Sequence, residues 1–349
     1  MSDDFEISDS EPLRLHRALV RHDSDQGRRW LEFRNPVAHF LAAKLSDVGP
    51  TIDAVEAAAA QGLWLVGIIS YDAAPAFDEA LSSLRDPTVP LVAFAAFGEP
   101  NPSRGPAGRA FTTREWTPSA DQQNFESAVE SIRELIAAGD TYQVNHTLRL
   151  HSDFSGDPEG LFAALCRAQR ADHLAFLDFG AVAVCSASPE QLISRRDTSV
   201  VTRPMKGTRP RHPDPMIDRD LANELVRSEK DRAENTMIVD MARNDLGRVA
   251  EIGTVRVAKL HTVESYPTVH QLTSTVTAET NASLRDLLAA TFPGASITGA
   301  PKVAASRVIA ELEGEPRGIY TGSVGVVEPG GNAEFNIAIR TAWIDQRSG

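Results

Sequence analysis

LAFLDFGAVAVCSAS (Leu174–Ser188) is two apolar runs around Asp178-Phe-Gly180, and it reads as a β-hairpin. A hairpin lays neighbouring strands antiparallel, whereas a parallel pair needs a long crossover. Outward from it, LWLVGIIS (63–70) and LVAFAAF (91–97) read as buried strands and DAVEAAAA (53–60) as a helix. Residues 98–120, rich in Pro, Gly, Ser and Thr, read as a linker, and the polar start, 1–12, as frayed chain. A helix is expected over 121–138, ending at Gly139-Asp140. A strand is expected over 141–151, with Tyr142, Val144 and His146 on one face and Gln143 and Asn145 on the other. Val200, Val201 and Met205 lie in another strand. Ser228-Glu-Lys-Asp231 has capping-box form and opens a helix with an expected apolar stripe of Ala233, Met237, Ile238 and Met241 and a stop at Gly247. A further helix starts near Pro301 and buries Ala304, Val308, Ile309 and Leu312. Segments 319–327 and 335–344 read as strands. Strands and helices do not alternate in βαβ order, so the fold class is α+β rather than a doubly wound sheet.

The chain has 349 residues, 42% of them hydrophobic, enough to fill one large core or two smaller ones. A formal net charge of −13 excludes a general binder of nucleic acid or anionic membrane, but leaves room for a basic site that takes a small anion. No apolar run approaches the length of a membrane span, and the acidic N-terminus has no signal-peptide core, so a cytoplasmic protein is expected. Cys166 and Cys185 sit in apolar stretches and read as buried, reduced thiols.

Several polar residues interrupt the apolar pattern. Glu190 follows a strongly apolar strand; it is either an exposed turn residue or a half-buried acid suited to proton donation. Lys206 ends a strand beside Gly207. Partly desolvated, its amine would be a nucleophile, and the glycine would let a ligand reach the backbone. Asp231 and Glu234 share a helix face, as hard oxygen donors for Mg²⁺ or as ordinary acids of a first turn. Thr298–Lys302 opens a helix whose free N–H groups either cradle an anion or are merely capped. Arg340 ends an apolar strand and either pairs with a buried carboxylate or grips a carboxylate ligand. His270, alone in VHQLTSTV, reads by default as a satisfied structural histidine.

Taken together, these clusters resemble the chorismate-utilising enzymes. The matching strings are GDTYQVNHT (139–147), SASPEQL (186–192), RPMKGTRPR (203–211), SEKDRAENTMIVDMARNDLGRV (228–249), VHQLTSTV (269–276), FPGASITGAPK (292–302), RGIYTGSVG (317–325) and FNIAIRT (335–341), in that family's order. The resemblance covers roughly 120–344, and LVGIISYDAAPAFD (65–78) resembles the aminodeoxychorismate branch. It implies two stacked antiparallel β-sheets flanked by helices, with a region over 1–118 that adds strands to the sandwich and a chorismate-binding domain over 119–349.

The resemblance also implies roles. Glu234 would hold Mg²⁺, Glu190 would be the acid for departure of the C4 hydroxyl, Thr208 and His270 would line the ring, and Tyr320 and Arg340 would grip the enolpyruvyl carboxylate. Gln143 stands where isochorismate and salicylate synthases carry a water-activating lysine, which implies an ammonia-using branch. Lys206 stands where anthranilate synthases usually have alanine, and implies amination at C4 through a lysine nucleophile. Ammonia would come from a glutamine amidotransferase partner, since the chain shows no Cys-His-Glu glutaminase signature. The family pattern runs on into a strand and a helix with a second metal glutamate and a carboxylate-binding lysine, which this sequence, ending at Gly349, does not contain. Alternatives are an anthranilate synthase component and an inactive protein that binds chorismate or a partner.

Overall fold

The hairpin forms as read: His173–Asp178 pairs antiparallel with Val182–Ser188, from His173↔Ser188 to Asp178↔Ala183. The structure, a computed structural model, describes residues 13–24, 27–169 and 171–347; the expectation for residues 1–12 lies outside them. The hairpin is the middle of a six-stranded antiparallel sheet with the order Thr341–Asp345, Val182–Ser188, His173–Asp178, Arg17–Ser24, Gly27–Arg34, Asn101–Ser103. A ten-stranded sheet lies against it. Its order is Met205–Pro210, Val269–Glu279, Ser199–Arg203, Gln191–Arg196, Ala333–Asn336, Ser323–Val327, Trp64–Ile69, Val92–Phe97, Ala38–Ala42, with Arg256–Ser265 also paired to Val269–Glu279.

Period-two alternation explains why the sheets stack. In Trp64–Ile69 every residue is buried, because the strand has apolar neighbours on both faces. Trp64, Val66 and Ile68 pack with Leu31, Phe33 and Val184 of the six-stranded sheet. Leu65 and Ile69 point the other way, into a core with Val48, Ile52 and Val55 of the helix Leu45–Ala60 and Leu287 and Leu288 of the helix Leu284–Thr291. The helix Pro158–Gln169 closes the outer face of the six-stranded sheet through Leu161 and Phe162, which meet Phe176 and Cys185. The result is the expected α+β sandwich, with strands from before residue 118 in both sheets.

Several local expectations change. The helix expected at 53–60 runs from Leu45 to Ala60 and contains Pro50 in its second turn; the packing of this helix against Leu284–Thr291 outweighs the hydrogen bond that the proline loses. The stretch 98–120 is no linker. Asn101–Ser103 extends the six-stranded sheet, while Phe111–Thr113 and Thr117–Pro118 pair with Phe154–Gly156 and Leu150–His151. Only Gln143–Val144 of 141–151 is a strand against Gly299–Ala300, before Leu150–His151, and Tyr142 is exposed, because this loop is pinned by side chains rather than by a ladder. The helix Glu229–Gly247 is capped by Ser228, which accepts from the Asp231 N–H. Its buried stripe is Asn235, Ile238, Val239, Ala242, Asp245 and Leu246; Ala233 is exposed and Met237 and Met241 line an open groove. Pro301 is the cap before the helix Lys302–Leu312, which buries Val308 and Ile309 as expected and Ala304 and Leu312 only partly. The strand expected at 335–344 is two strands in different sheets, separated at Arg340, whose φ is +50°.

That last break positions the site. The chain crosses from the six-stranded to the ten-stranded sheet at Pro189-Glu190 and returns at Ile337–Arg340. The two crossings are stitched together: the Ile337 N–H donates to the Glu190 carbonyl and the Ala187 N–H to the Arg340 carbonyl, at 3.0 and 3.1 Å.

Candidate active site

Glu190 is only 4% exposed, so the buried alternative for this residue holds. Its Oε1 accepts from Ser296 Oγ at 2.6 Å and from the Met205 N–H at 3.3 Å, and Oε2 has no partner among the described residues. Burial pushes the carboxyl above the usual range, against the pull of Ser296 and of the Lys206 charge. Pro204 breaks the strand Ser199–Arg203 and turns Met205 toward Glu190, which brings the half-buried Lys206 alongside. Burial lowers the Lys206 pKa, while Glu190 and Glu234 pull it back. Glu190, Lys206 and Glu234 therefore form one electrostatic cluster drawn from a sheet crossing, a strand and a helix.

Gly207 sets how closely strand and helix approach. Its φ is +95°, and a Cβ there would stand 3.0 Å from Asp231 Cβ and 3.1 Å from Leu225 Cδ1. Gly207→Ala is expected to cost about 1–3 kcal/mol, read as a lower urea midpoint with an unchanged slope. Asp231 is engaged by Arg209 at 3.0 Å, and Arg209 also holds Glu224. Glu234 is half-exposed, with Lys230 at 3.8 Å. Among the described residues no group of three His, Cys, Asp or Glu is placed to hold a metal. Glu234 fits Mg²⁺ as a single hard donor, since this ion keeps several waters and takes one or two carboxylates plus substrate oxygens.

The expected carboxylate-gripping pair, Tyr320 and Arg340, lies on two segments joined by a hydrogen bond from the Thr321 N–H to the Ala338 carbonyl. The half-buried Arg340 donates to Gln169 Oε1 at 2.7 Å, and no carboxylate of the described residues pairs with it. Tyr320 Oη lies 3.2 Å from Thr147 Oγ1. That loop is fixed by an ion pair the sequence reading missed. Arg317 and Glu313, both 1% exposed, meet at 2.6 Å; Arg317 donates to the Asn145 carbonyl, Glu313 accepts the Thr147 N–H, and the guanidinium lies 4.7 Å over the Tyr71 ring. The loop holds Gln143, whose Oε1 is buried with no partner among the described residues.

Thr208 is exposed and donates to Gln271 Oε1. His270 is 2% exposed with both ring nitrogens engaged, by Ser265 Oγ at 2.9 Å and Asp218 Oδ1 at 3.0 Å. Arg211 holds that Asp218 carboxyl well below the usual range. Lys302 meets Asp245 at 2.8 Å and donates to the Pro293 carbonyl at 3.2 Å. Cys166 and Cys185 are free thiols, and burial pushes Cys166 up to about 12. No helix of the described residues is long and apolar enough to cross a membrane.

The sequence profile of the chorismate binding enzyme family matches residues 94–349. Aminodeoxychorismate synthase component 1 of Escherichia coli (strain K12) is 46% identical over 231 residues, 66% of this chain and 51% of that one. Anthranilate synthase component 1 of Streptomyces coelicolor is 43% identical over 252 residues, 71% of this chain and 49% of that one. The crystal structure of anthranilate synthase component I from Streptococcus pneumoniae TIGR4 superposes with a TM-score of 0.79 at 25% identity, over 99% of this chain and 88% of that one. The chain spans about half the length of the curated relatives it matches.

Proposed function

We propose, from the premise that this chain belongs to the chorismate binding enzyme family, that it aminates chorismate at C4, giving 4-amino-4-deoxychorismate for para-aminobenzoate and folate synthesis. Ammonia would come from a glutamine amidotransferase partner. One observation carries the reading: Lys206 is half-buried, next to the Met205 N–H that donates to Glu190, and burial lowers its pKa against the pull of Glu190 and Glu234. A relative named aminodeoxychorismate synthase component 1 supports it, and Lys206 weighs against the anthranilate alternative.

In this mechanism the Lys206 amine forms a bond to C2, the ring double bonds shift, and the C4–O bond breaks. Glu190 gives its proton to the departing hydroxyl, which leaves as water. Ammonia then bonds to C4, the double bonds shift back, and Lys206 leaves C2 with its electron pair as a free amine. Splitting one displacement into two lowers each barrier. Glu234 would hold Mg²⁺, which when bound offsets the substrate's negative charge. The new C4 amine keeps its third proton, as alkylamines do near neutral pH. Glu190 therefore ends the cycle as a carboxylate.

Incubation with chorismate, ammonium and Mg²⁺, followed by identification of the product, tests the reading: aminodeoxychorismate supports it and anthranilate overturns it. Arg340→Ala is expected to raise the chorismate KM by about 10–100-fold with a smaller change in kcat, the loss of a charge-assisted carboxylate contact.

A further inference from the structure

Glu190 has to regain a proton every turnover, yet it is 4% exposed and the charge of Lys206 acts on it. Behind it lies a small cavity of about 30 Å³, lined by Glu190, Ser296, Thr202, Thr291, Ala242 and Asp245. That is room for a water, which needs roughly 10–15 Å³ and two to four polar partners. Asp245 lines this cavity and also the open groove of about 870 Å³ along the helix Glu229–Gly247. Its side chain is 12% exposed, and Lys302 binds its Oδ2 at 2.8 Å while Oδ1 has no partner among the described residues. Each carboxyl thus keeps one oxygen with no partner among the described residues, and both residues wall the same cavity.

We infer that Asp245 is a proton relay, carrying protons from water in the groove, through a water in the cavity, to Glu190. Glu190 takes a proton from the cavity water, that water takes one from Asp245, and Asp245 takes one from the groove. The net change is one proton from solvent onto Glu190. Lys302, anchored also by the Pro293 carbonyl, fixes Asp245 in place. The other titratable groups facing the pair are Lys206 and His173 toward Glu190 and Arg248 toward Asp245. Burial raises the Asp245 pKa against the pull of Lys302, which suits a group that must be protonated in passing. This role rests on the reading of Glu190 as the acid of the reaction; the exchange of its proton with solvent does not.

The test therefore begins on the resting protein. After transfer to deuterium oxide, infrared spectroscopy follows the isotope shift of the Glu190 carboxyl band, identified by its loss in Glu190→Gln. Exchange is expected to slow by about tenfold or more in Asp245→Asn, and likewise in Ala242→Val, which fills the cavity and leaves both carboxyls intact. Wild-type exchange rates in both variants overturn the relay. In turnover, Asp245→Asn is expected to lower kcat and the chorismate KM together, because recharging follows product release; a fall in kcat/KM at unchanged exchange marks a structural role and overturns the relay as well. If the wild-type chain makes no aminodeoxychorismate, the proposed function fails, and the exchange rates still decide the relay.

Discussion

Lys206→Ala is expected to lose aminodeoxychorismate formation by on the order of 10³-fold or more, the scale seen when a covalent nucleophile is removed, while chorismate still binds. The loss should fall on kcat, since Arg340 and Glu234, which would hold the substrate, are untouched. Steady-state kinetics with product identification checks this. The same residue makes a stability prediction of opposite sign. Burial lowers the Lys206 pKa below its ordinary 10.5, so its contribution to stability is present above that value and lost as pH falls through the folded pKa. Near neutral pH the side chain is therefore a burden on the fold. Lys206→Met, which keeps the stem and removes the charge, is expected to stabilise the chain by about 0.5–2 kcal/mol. A higher melting temperature with no amination would identify a residue kept for chemistry. A lower one would mean that its charge holds Glu190 and Glu234 together.

Glu190→Gln is expected to lower kcat by about 10²–10⁴-fold, the usual contribution of a positioned acid. The amide keeps the Ser296 and Met205 side of the site filled, so the fold should survive. Burial holds the Glu190 pKa above its ordinary 4.5, so the wild-type rate should fall as pH rises through that raised value, and the glutamine variant should lack this limb. The acid binds its proton more tightly folded than unfolded. Its contribution to stability is thus fully present below 4.5 and lost as pH rises through the folded pKa. Urea midpoints across that window should decline in the wild type and stay flatter in Glu190→Gln.

How much of this was legible depended on range. The hairpin, the buried strands Trp64–Ile69 and Val92–Phe97, and the Ser228 cap were readable because neighbours in sequence carry the signal. Glu190 was suspect for the same reason: it ends a strand buried at every position. The stretch 98–120 misled because its short strands owe their pairing to Trp30, Phe154 and Leu150 far along the chain, not to their own composition. Arg340 looked like the end of one strand because periodicity does not announce a left-handed residue that swaps sheets. Asp245 was missed although a signal existed. It falls on the helical stripe of Ile238 and Ala242, an acid in core register, but its partner Lys302 and the residues that share its cavity, Glu190 and Ser296, come from three other segments. The Arg317–Glu313 pair was likewise invisible until the Asn145–Thr147 loop was seen resting on it.

The central claim is that Lys206 forms a bond to the substrate. The direct measurement is intact-protein and peptide mass spectrometry after incubation with chorismate and Mg²⁺ and no ammonia source. The peptide that carries Lys206 should gain the mass of chorismate less one water, lose it when ammonium is added, and remain unmodified in Lys206→Ala. An unmodified Lys206 peptide in wild-type protein that then makes aminodeoxychorismate on addition of ammonium would contradict the account.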